Sequence, residues 1–306
     1  MKSKYLIKKG IFAFVFSSVF LVLMIIVISS VPSFLDNTFF NTAQAHTATI
    51  SVGIFPFGIA YNPSNNNIYV ANAASSTVSV ISGSTNSVIA TILVGRVPYF
   101  LVYVPSNNQI YVTNAESNDV YVINAATDVV VSTIPLGNSS GAGDDSITPD
   151  STSPTFLAYD NDNGGLYVSK GPFAVSIINA VTNAAVYEIT VDRDPTGIAY
   201  NPINHNIYVT KQSSNQVSVI NTITNSVVAD IPVGDTPVDI VYNPVNHNMY
   251  VTNLGSNTVS VINSATNSVI GTIPVGSQPF GIAHDSTNRH IYVTNPDSNT
   301  VTMIHP

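Results

Sequence analysis

The chain contains no cysteine. A disulfide framework, a thiolate metal site and a Cys-x-x-Cys-His haem attachment are therefore excluded. Charge is scarce as well: Asp, Glu, Lys and Arg make up 8% of the residues, low for a cytosolic protein. Glu116 and Glu188 are the only glutamates, which leaves little material for paired-carboxylate acid–base chemistry. The histidines show no zinc-ligand spacing. Beyond the N-terminal stretch, no apolar run has the i, i+3, i+4 spacing of an amphipathic helix.

What is present is a repeat rich in Asn, Ser, Thr and Val. Residues 236–276 (TPVDIVYNPVNHNMYVTNLGSNTVSVINSATNSVIGTIPVG) hold the full unit. A short apolar run follows Pro237 and ends at Asn243-Pro244, as expected of a strand bracketed by residues that cannot donate to a ladder. A second run is centred on Met249-Tyr250-Val251, a third alternates through 258–263, and a fourth covers 268–275 before Gly276. Asn, Ser and Gly fill the gaps, which is turn chemistry. β-branched and aromatic residues fill the runs. Four short antiparallel strands followed by a restart describe one blade of a β-propeller.

The period decides the fold. The second-strand tyrosine recurs at Tyr69, Tyr111, Tyr167, Tyr208, Tyr250 and Tyr292, with spacings of 42, 56, 41, 42 and 42. The first-strand aromatic recurs as Tyr61, Tyr103, Tyr159, Tyr200 and Tyr242, with His284 in the sixth copy. This predicts an all-β, six-bladed propeller over residues 46–306. The sixth copy lacks a fourth strand, and residues 46–53 (HTATISVG) read like residues 267–276. The N-terminal strand, about 47–53, is thus expected to complete the last blade and close the ring, removing an aggregation-prone edge. The long second spacing is an insertion within 138–153, expected as a loop on the face that carries the binding site in propellers.

Residues 1–45 are different material, a signal or anchor segment and linker. Lys2, Lys4, Lys8 and Lys9 precede an uncharged apolar stretch at 11–31. As a helix it would be about 31 Å long, enough to span a bilayer, with the lysines inside and the propeller exported. Ala43-Gln44-Ala45 also fits a signal-peptidase site, so an uncleaved anchor and a signal cleaved after Ala45 are both open. Without the first 45 residues the basic count falls from 9 to 5 and the acidic count from 17 to 16, moving the net charge from −8 to −11. That argues against nucleic acid or anionic lipid as a partner of the exported domain.

The second strand resembles the YVTN β-propeller repeat of prokaryotic surface-layer proteins. The tetrapeptide is complete at Tyr111-Val112-Thr113-Asn114, at 250–253 and at 292–295. One residue changes at Tyr69-Val70-Ala71-Asn72, and blades three and four end in Lys170 and Lys211. The resemblance covers about residues 47–306. It implies an extracellular, cell-surface or cell-envelope protein and transfers no catalytic residue, because the motif is structural. Related propellers often have seven blades; the repeats counted here are six.

Candidate sites are few. Lys170 and Lys211 replace the motif Asn in adjacent blades, and with Arg193 they hold three of the five cations beyond residue 45. They could form a patch for an anionic ligand or a glycan carboxylate, or simply neutralise the acidic insertion. Asp239 stands where the other copies have Gly58, Phe100, Phe156, Gly197 and Gly281. Flanked by a rim of aromatics at the channel mouth, it could help to stack a sugar. Asp160 and Asp162 begin a calcium-loop pattern, but Gly171 takes the place of its closing Glu; an ordinary strand-to-strand turn is the competing reading. Asp144 and Asp145 in the insertion are further weak metal candidates. Asn138 begins the chain's only Asn-x-Ser/Thr sequon and is a possible glycosylation site.

These readings converge on a non-catalytic binding, adhesion or envelope-scaffold module, with envelope proteins or glycans as partners, the membrane as a further one if the helix is uncleaved, and no cofactor. The alternative is a lyase- or lactone-hydrolase-type propeller enzyme with a metal-assisted site at the channel mouth.

Overall fold

The computed structural model describes residues 49–137 and 153–306. The folded unit, Ile50–Pro306, is built from six antiparallel sheets in which each strand pairs with the next in sequence. Blade one holds β1 (Pro56–Asn62), β2 (Asn67–Asn72), β3 (Thr77–Ser82) and β4 (Ser87–Leu93). Blade two holds β5 (Pro98–Val104), β6 (Gln109–Asn114), β7 (Asp119–Asn124) and β8 (Val129–Pro135). Blade three holds β9 (Pro154–Asp160), β10 (Gly165–Lys170), β11 (Ala174–Asn179) and β12 (Ala184–Thr190). Blade four holds β13 (Pro195–Asn201), β14 (Asn206–Lys211), β15 (Gln216–Asn221) and β16 (Ser226–Pro232). Blade five holds β17 (Pro237–Tyr242), β18 (Asn248–Asn253), β19 (Thr258–Asn263) and β20 (Ser268–Pro274). Blade six has three strands, β21 (Ile282–His284), β22 (Ile291–Asn295) and β23 (Thr300–Ile304). This is the six-bladed propeller that the tyrosine period predicts.

Local chemistry explains the elements. A proline opens each of the first five inner strands, where no ladder donor is needed. The turns use left-handed backbone at fixed positions, taken by Asn66, Asn108, His205 and His247 between first and second strands, and by Asn86, Asp128, Asn183, Asn225 and Asn267 between third and fourth. Asn tolerates that conformation better than most residues. His205 and His247 are therefore turn residues of adjacent blades. In the outer strands a register shift leaves one extra residue in each of five blades: Ile89, Val131, Val186, Val228 and Ile270. Such bulges bend an edge strand and make it a poor template for a foreign sheet.

The core lies between blades. Tyr69, Ala71, Val78 and Val80 of blade one pack on Leu101, Ile110, Val112 and Ile123 of blade two, and the same arrangement joins blade four to blade five. The buried tyrosine does more than fill space. Tyr69 Oη donates to the Ala125 carbonyl of the next blade at 3.2 Å, Tyr111 to Ala180 at 3.1 Å, and Tyr208 to Ser264 at 3.2 Å. A buried ring whose hydroxyl is satisfied across the junction ties neighbouring sheets together.

Closure of the ring by the N-terminal strand goes further than the described residues do. Thr49–Gly53 form no strand there, and blade six remains three-stranded. At the seam between blades six and one, Ile59 and Val301 are exposed. The apolar stretch 11–31, the Ala45 junction and residues 138–152, with Asn138, Asp144 and Asp145, lie outside the described residues. Among the described residues no helix is long and apolar enough to cross a membrane.

Candidate functional site

The first strands converge at one end of the ring, together with the turns that follow the second strands. Between them lies a cavity of about 350 Å³, within the small end of the range for ligand sites. Tyr99, Phe156, Val238 and Phe280 supply its apolar wall, from blades two, three, five and six. Thr155, Thr196 and Gln212 add hydroxyl and amide groups, and among the described residues Asp194 is the one charged residue that lines it. The aromatic wall is continuous: Phe57 stacks on Tyr99 with centroids 4.3 Å apart, and Tyr99 meets Phe156 edge-on at 5.9 Å. Phe57 and Tyr99 directly follow the strand-opening prolines and Phe156 follows one residue later, so equivalent stretches of the repeat bring the rings together.

Asp239 sits half-buried one residue from Val238 of that wall. Its Oδ1 accepts the N–H of Ile240 at 2.8 Å and its Oδ2 the N–H of Ile282 at 3.2 Å, so the carboxylate pins blade six to blade five. Burial pushes its pKa up to about 7, against the opposing pull of the two backbone donors. The Tyr99 hydroxyl is raised to about 12, first by burial and then by the Asp239 charge.

The cations are placed differently from a displayed patch. Lys211 is 1% exposed; its Nζ lies 2.8 Å from Asp230 Oδ1 and 3.9 Å from Asp192 Oδ2. Lys170 donates to the Leu136 carbonyl and lies 3.2 Å from Glu188 Oε2. Arg193 lies over the Phe173 ring at 5.6 Å. Burial raises the Asp230 pKa, but the bonds from Lys211 and Ser218 outweigh it and the net shift is downward.

Sequence reasoning missed why these lysines are there. In blades one, two and five the second strand ends in Asn72, Asn114 and Asn253, and the fourth strand carries Thr91, Thr133 and Thr272. In blades three and four it ends in Lys170 and Lys211, and the same fourth-strand position carries Glu188 and Asp230. The register makes the correspondence exact in all five: Ser79↔Thr91, Tyr121↔Thr133, Ser176↔Glu188, Ser218↔Asp230 and Ser260↔Thr272. Asn thus goes with Thr, and Lys with a carboxylate. The two exchanges are eighteen or nineteen residues apart and were legible as a joint departure from the repeat.

Asp160 behaves as a turn residue. Its Oδ1 accepts the N–H groups of Asp162 and Asn163, as Asn201 accepts that of Ile203 and Asn243 that of Val245. Asp162 reaches across to blade four, 2.9 Å from His205 Nδ1, and accepts from the Tyr200 hydroxyl. Among the described residues no three His, Cys, Asp or Glu side chains are placed to hold a metal ion. His290 and His305 do meet, with centroids 4.2 Å apart, a pair the sequence spacing did not suggest.

The fold defines a six-bladed β-propeller, with a polar–aromatic cavity beside its first strands. Among solved structures the chain is similar to hydrazine synthase of Kuenenia stuttgartiensis, with a TM-score of 0.57 and 15% identity over 86% of this chain and 98% of that one. At that identity the likeness speaks for the propeller fold. No family model and no curated protein matches the chain, so the resemblance to YVTN propellers stands on its repeated tetrapeptide.

Proposed function

We propose that this is an exported, YVTN-type propeller acting as a non-catalytic binding module at the cell surface, and that it takes a small, neutral, hydroxyl-rich ligand such as a sugar ring in the channel-mouth cavity. The cavity carries this reading. It combines aromatic wall, hydroxyl and amide groups and one carboxylate, while Lys170 and Lys211 are already matched with Glu188 and Asp230. Among the described lining residues an anionic ligand would meet Asp194 and no cation, whereas a saccharide offers apolar C–H faces to aromatic rings and hydroxyls to Thr and Gln. The apolar stretch 11–31 would deliver the domain across the membrane, as a cleaved signal or as an anchor.

The test is a neutral-glycan array on residues 46–306, followed by titration calorimetry of the best binder. We expect Phe280→Ala to weaken binding at least tenfold while the melting temperature moves by only a few degrees. Binding that is indifferent to Phe280→Ala and Gln212→Ala would overturn the assignment of the site. The second reading, a lyase- or lactonase-type enzyme, draws on one observation: a half-buried carboxylate poised near neutrality, Asp239, beside the cavity wall. Turnover that disappears in Asp239→Asn would favour it.

A further inference from the structure

In each blade the residue that opens the second strand stands opposite the one that closes the third. Five blades fill the two places with uncharged, non-aromatic residues: Asn67↔Ser82, Gln109↔Asn124, Gly165↔Asn179, Asn206↔Asn221 and Asn248↔Asn263. Side chains so opposed hold their Cβ atoms about 4.5–5.5 Å apart and can interact. In blade four they do, with Asn221 Nδ2 3.4 Å from Asn206 Oδ1. Blade six replaces both. Its β22 and β23 pair through Ile291↔Ile304, and one step beyond stand His290 and His305. Their rings meet edge-on, with centroids 4.2 Å apart.

The surroundings fix the first ring and leave the pair accessible. The His290 N–H donates to Asn288 Oδ1 at 2.9 Å, and its carbonyl accepts the Asp285 N–H at 2.9 Å. Tyr292, two residues on, lies with its ring centroid 6.5 Å from that of His290. Its hydroxyl accepts from Asn288 Nδ2 at 2.8 Å. His290 is half-buried and His305 exposed. The Asp285 carboxylate is engaged in its own turn, accepting the Thr287 N–H at 2.7 Å. Among the described residues the donor set is therefore two imidazoles, with no third His, Asp or Glu placed to join them.

That set selects a class of ion. Imidazole suits zinc, nickel and copper, whereas calcium and magnesium require oxygen ligands. With metal–nitrogen bonds of about 2.0–2.1 Å, two imidazoles on adjacent positions of one ion hold their ring centres roughly 4.5–5 Å apart. A small opening of the pair is enough to seat an ion between them.

We infer that His290 and His305 form a cross-strand chelate for a divalent ion of the zinc, nickel or copper class, with water completing its coordination. The ion clamps β22 to β23. The site lies at the end of the strands opposite the channel-mouth cavity, and so does not depend on what that cavity binds.

The test is calorimetric titration of zinc alone into the full-length chain, repeated with calcium. Zinc should bind at one ion per chain and calcium should not compete. His290→Asn and His305→Asn install the residues of blade five, Asn248 and Asn263, so without metal each variant should melt within a few degrees of the wild type. Each should weaken zinc binding at least ~10-fold, and the double variant should be little worse than either, because losing one ligand already breaks the chelate. Excess zinc should raise the melting temperature of the wild type and not that of the variants, since the ion binds the folded pair. His247→Asn, at a turn of blade five, should bind zinc as the wild type does. Zinc binding that survives both single variants, or losses that add in the double variant, would overturn the inference. One ion shared between two chains would overturn it as well.

Discussion

Blades four and five share a backbone and differ in what the last residue of the second strand bonds: the third strand in blade five, the fourth in blade four. Blade five uses Asn253, which donates to Thr258 and Ser260 at 3.1 and 2.9 Å and carries no charge. Blade four uses Lys211, buried to 1% exposure, against Asp230 and Asp192. The neutral latch hides an amide and leaves the Asn253 Oδ1 without a partner in the structure. The charged latch satisfies an ammonium, at the cost of desolvating it. Blade three is intermediate: Lys170 is 15% exposed and Glu188 55%. The lesson is that Lys170 and Lys211, which look like a ligand-binding patch in sequence, are each matched in the structure by a carboxylate of their own fourth strand.

The largest effect is expected from breaking the charged latch on one side. Asp230→Ala leaves Lys211 buried with Asp192 at 3.9 Å and should cost about 3 kcal/mol in urea unfolding. The paired exchange Lys211→Asn with Asp230→Thr installs the blade-five latch and should recover most of it. If the double variant is as unstable as Asp230→Ala alone, the two latches are not interchangeable. Glu188→Ala in blade three should cost less, because Lys170 is closer to solvent and keeps the Leu136 carbonyl.

The next effect is a pH dependence that separates Asp239 from the latch carboxylates. Its folded pKa, about 7, lies above the unfolded carboxylate value. Between about pH 4 and 7 the native state therefore holds more protons than the unfolded one, and stability falls as pH rises through that window. Asp239→Asn should flatten this fall and gain ~1–3 kcal/mol at pH 8 relative to wild type. Asp230 shifts the other way: its stabilisation is present above the ordinary carboxylate pKa and is lost as pH falls through its lowered value. Melting scans from pH 3 to 8 on the two variants should show opposite trends.

A smaller effect tests the junction tyrosines. Tyr208→Phe keeps the ring but removes the donor to Ser264 and Asn267, and should cost ~1 kcal/mol. Tyr292→Phe, in the blade whose junction face is half-exposed, should cost less. The smallest is the Arg96–Glu116 pair, where Arg96 is 63% exposed. Arg96→Ala should change stability by no more than ~0.5 kcal/mol.

Much of this was readable in the primary structure because the repeat does the reading. Tyr69, Tyr111, Tyr167, Tyr208, Tyr250 and Tyr292 mark a period, and the turn asparagines and strand-opening prolines mark boundaries that hold within a residue or two. The candidate site was less readable. Tyr99, Thr155, Thr196 and Phe280 are far apart in sequence and carry no motif; they meet only because the start of each first strand, or the residues just before it in blade six, is delivered to the channel mouth. Asp239 was recognisable as an exception among its copies, but its bond to the Ile282 amide was not, since that depends on how blade six leans on blade five.

The amino-acid order by itself determined the blades: alternation within six residues, a turn chemistry repeated at fixed offsets and a tyrosine spacing near 42 admit one architecture. Those are short-range properties, and each copy states them independently. Only the tertiary structure decided which charges are available and which are spent. Whether Lys211 greets a ligand or an aspartate depends on burial and on the strand two places away. The same holds for the seam, where Val301 and Val259 occupy one position of one repeat yet differ completely in exposure, because burial there belongs to the neighbouring blade.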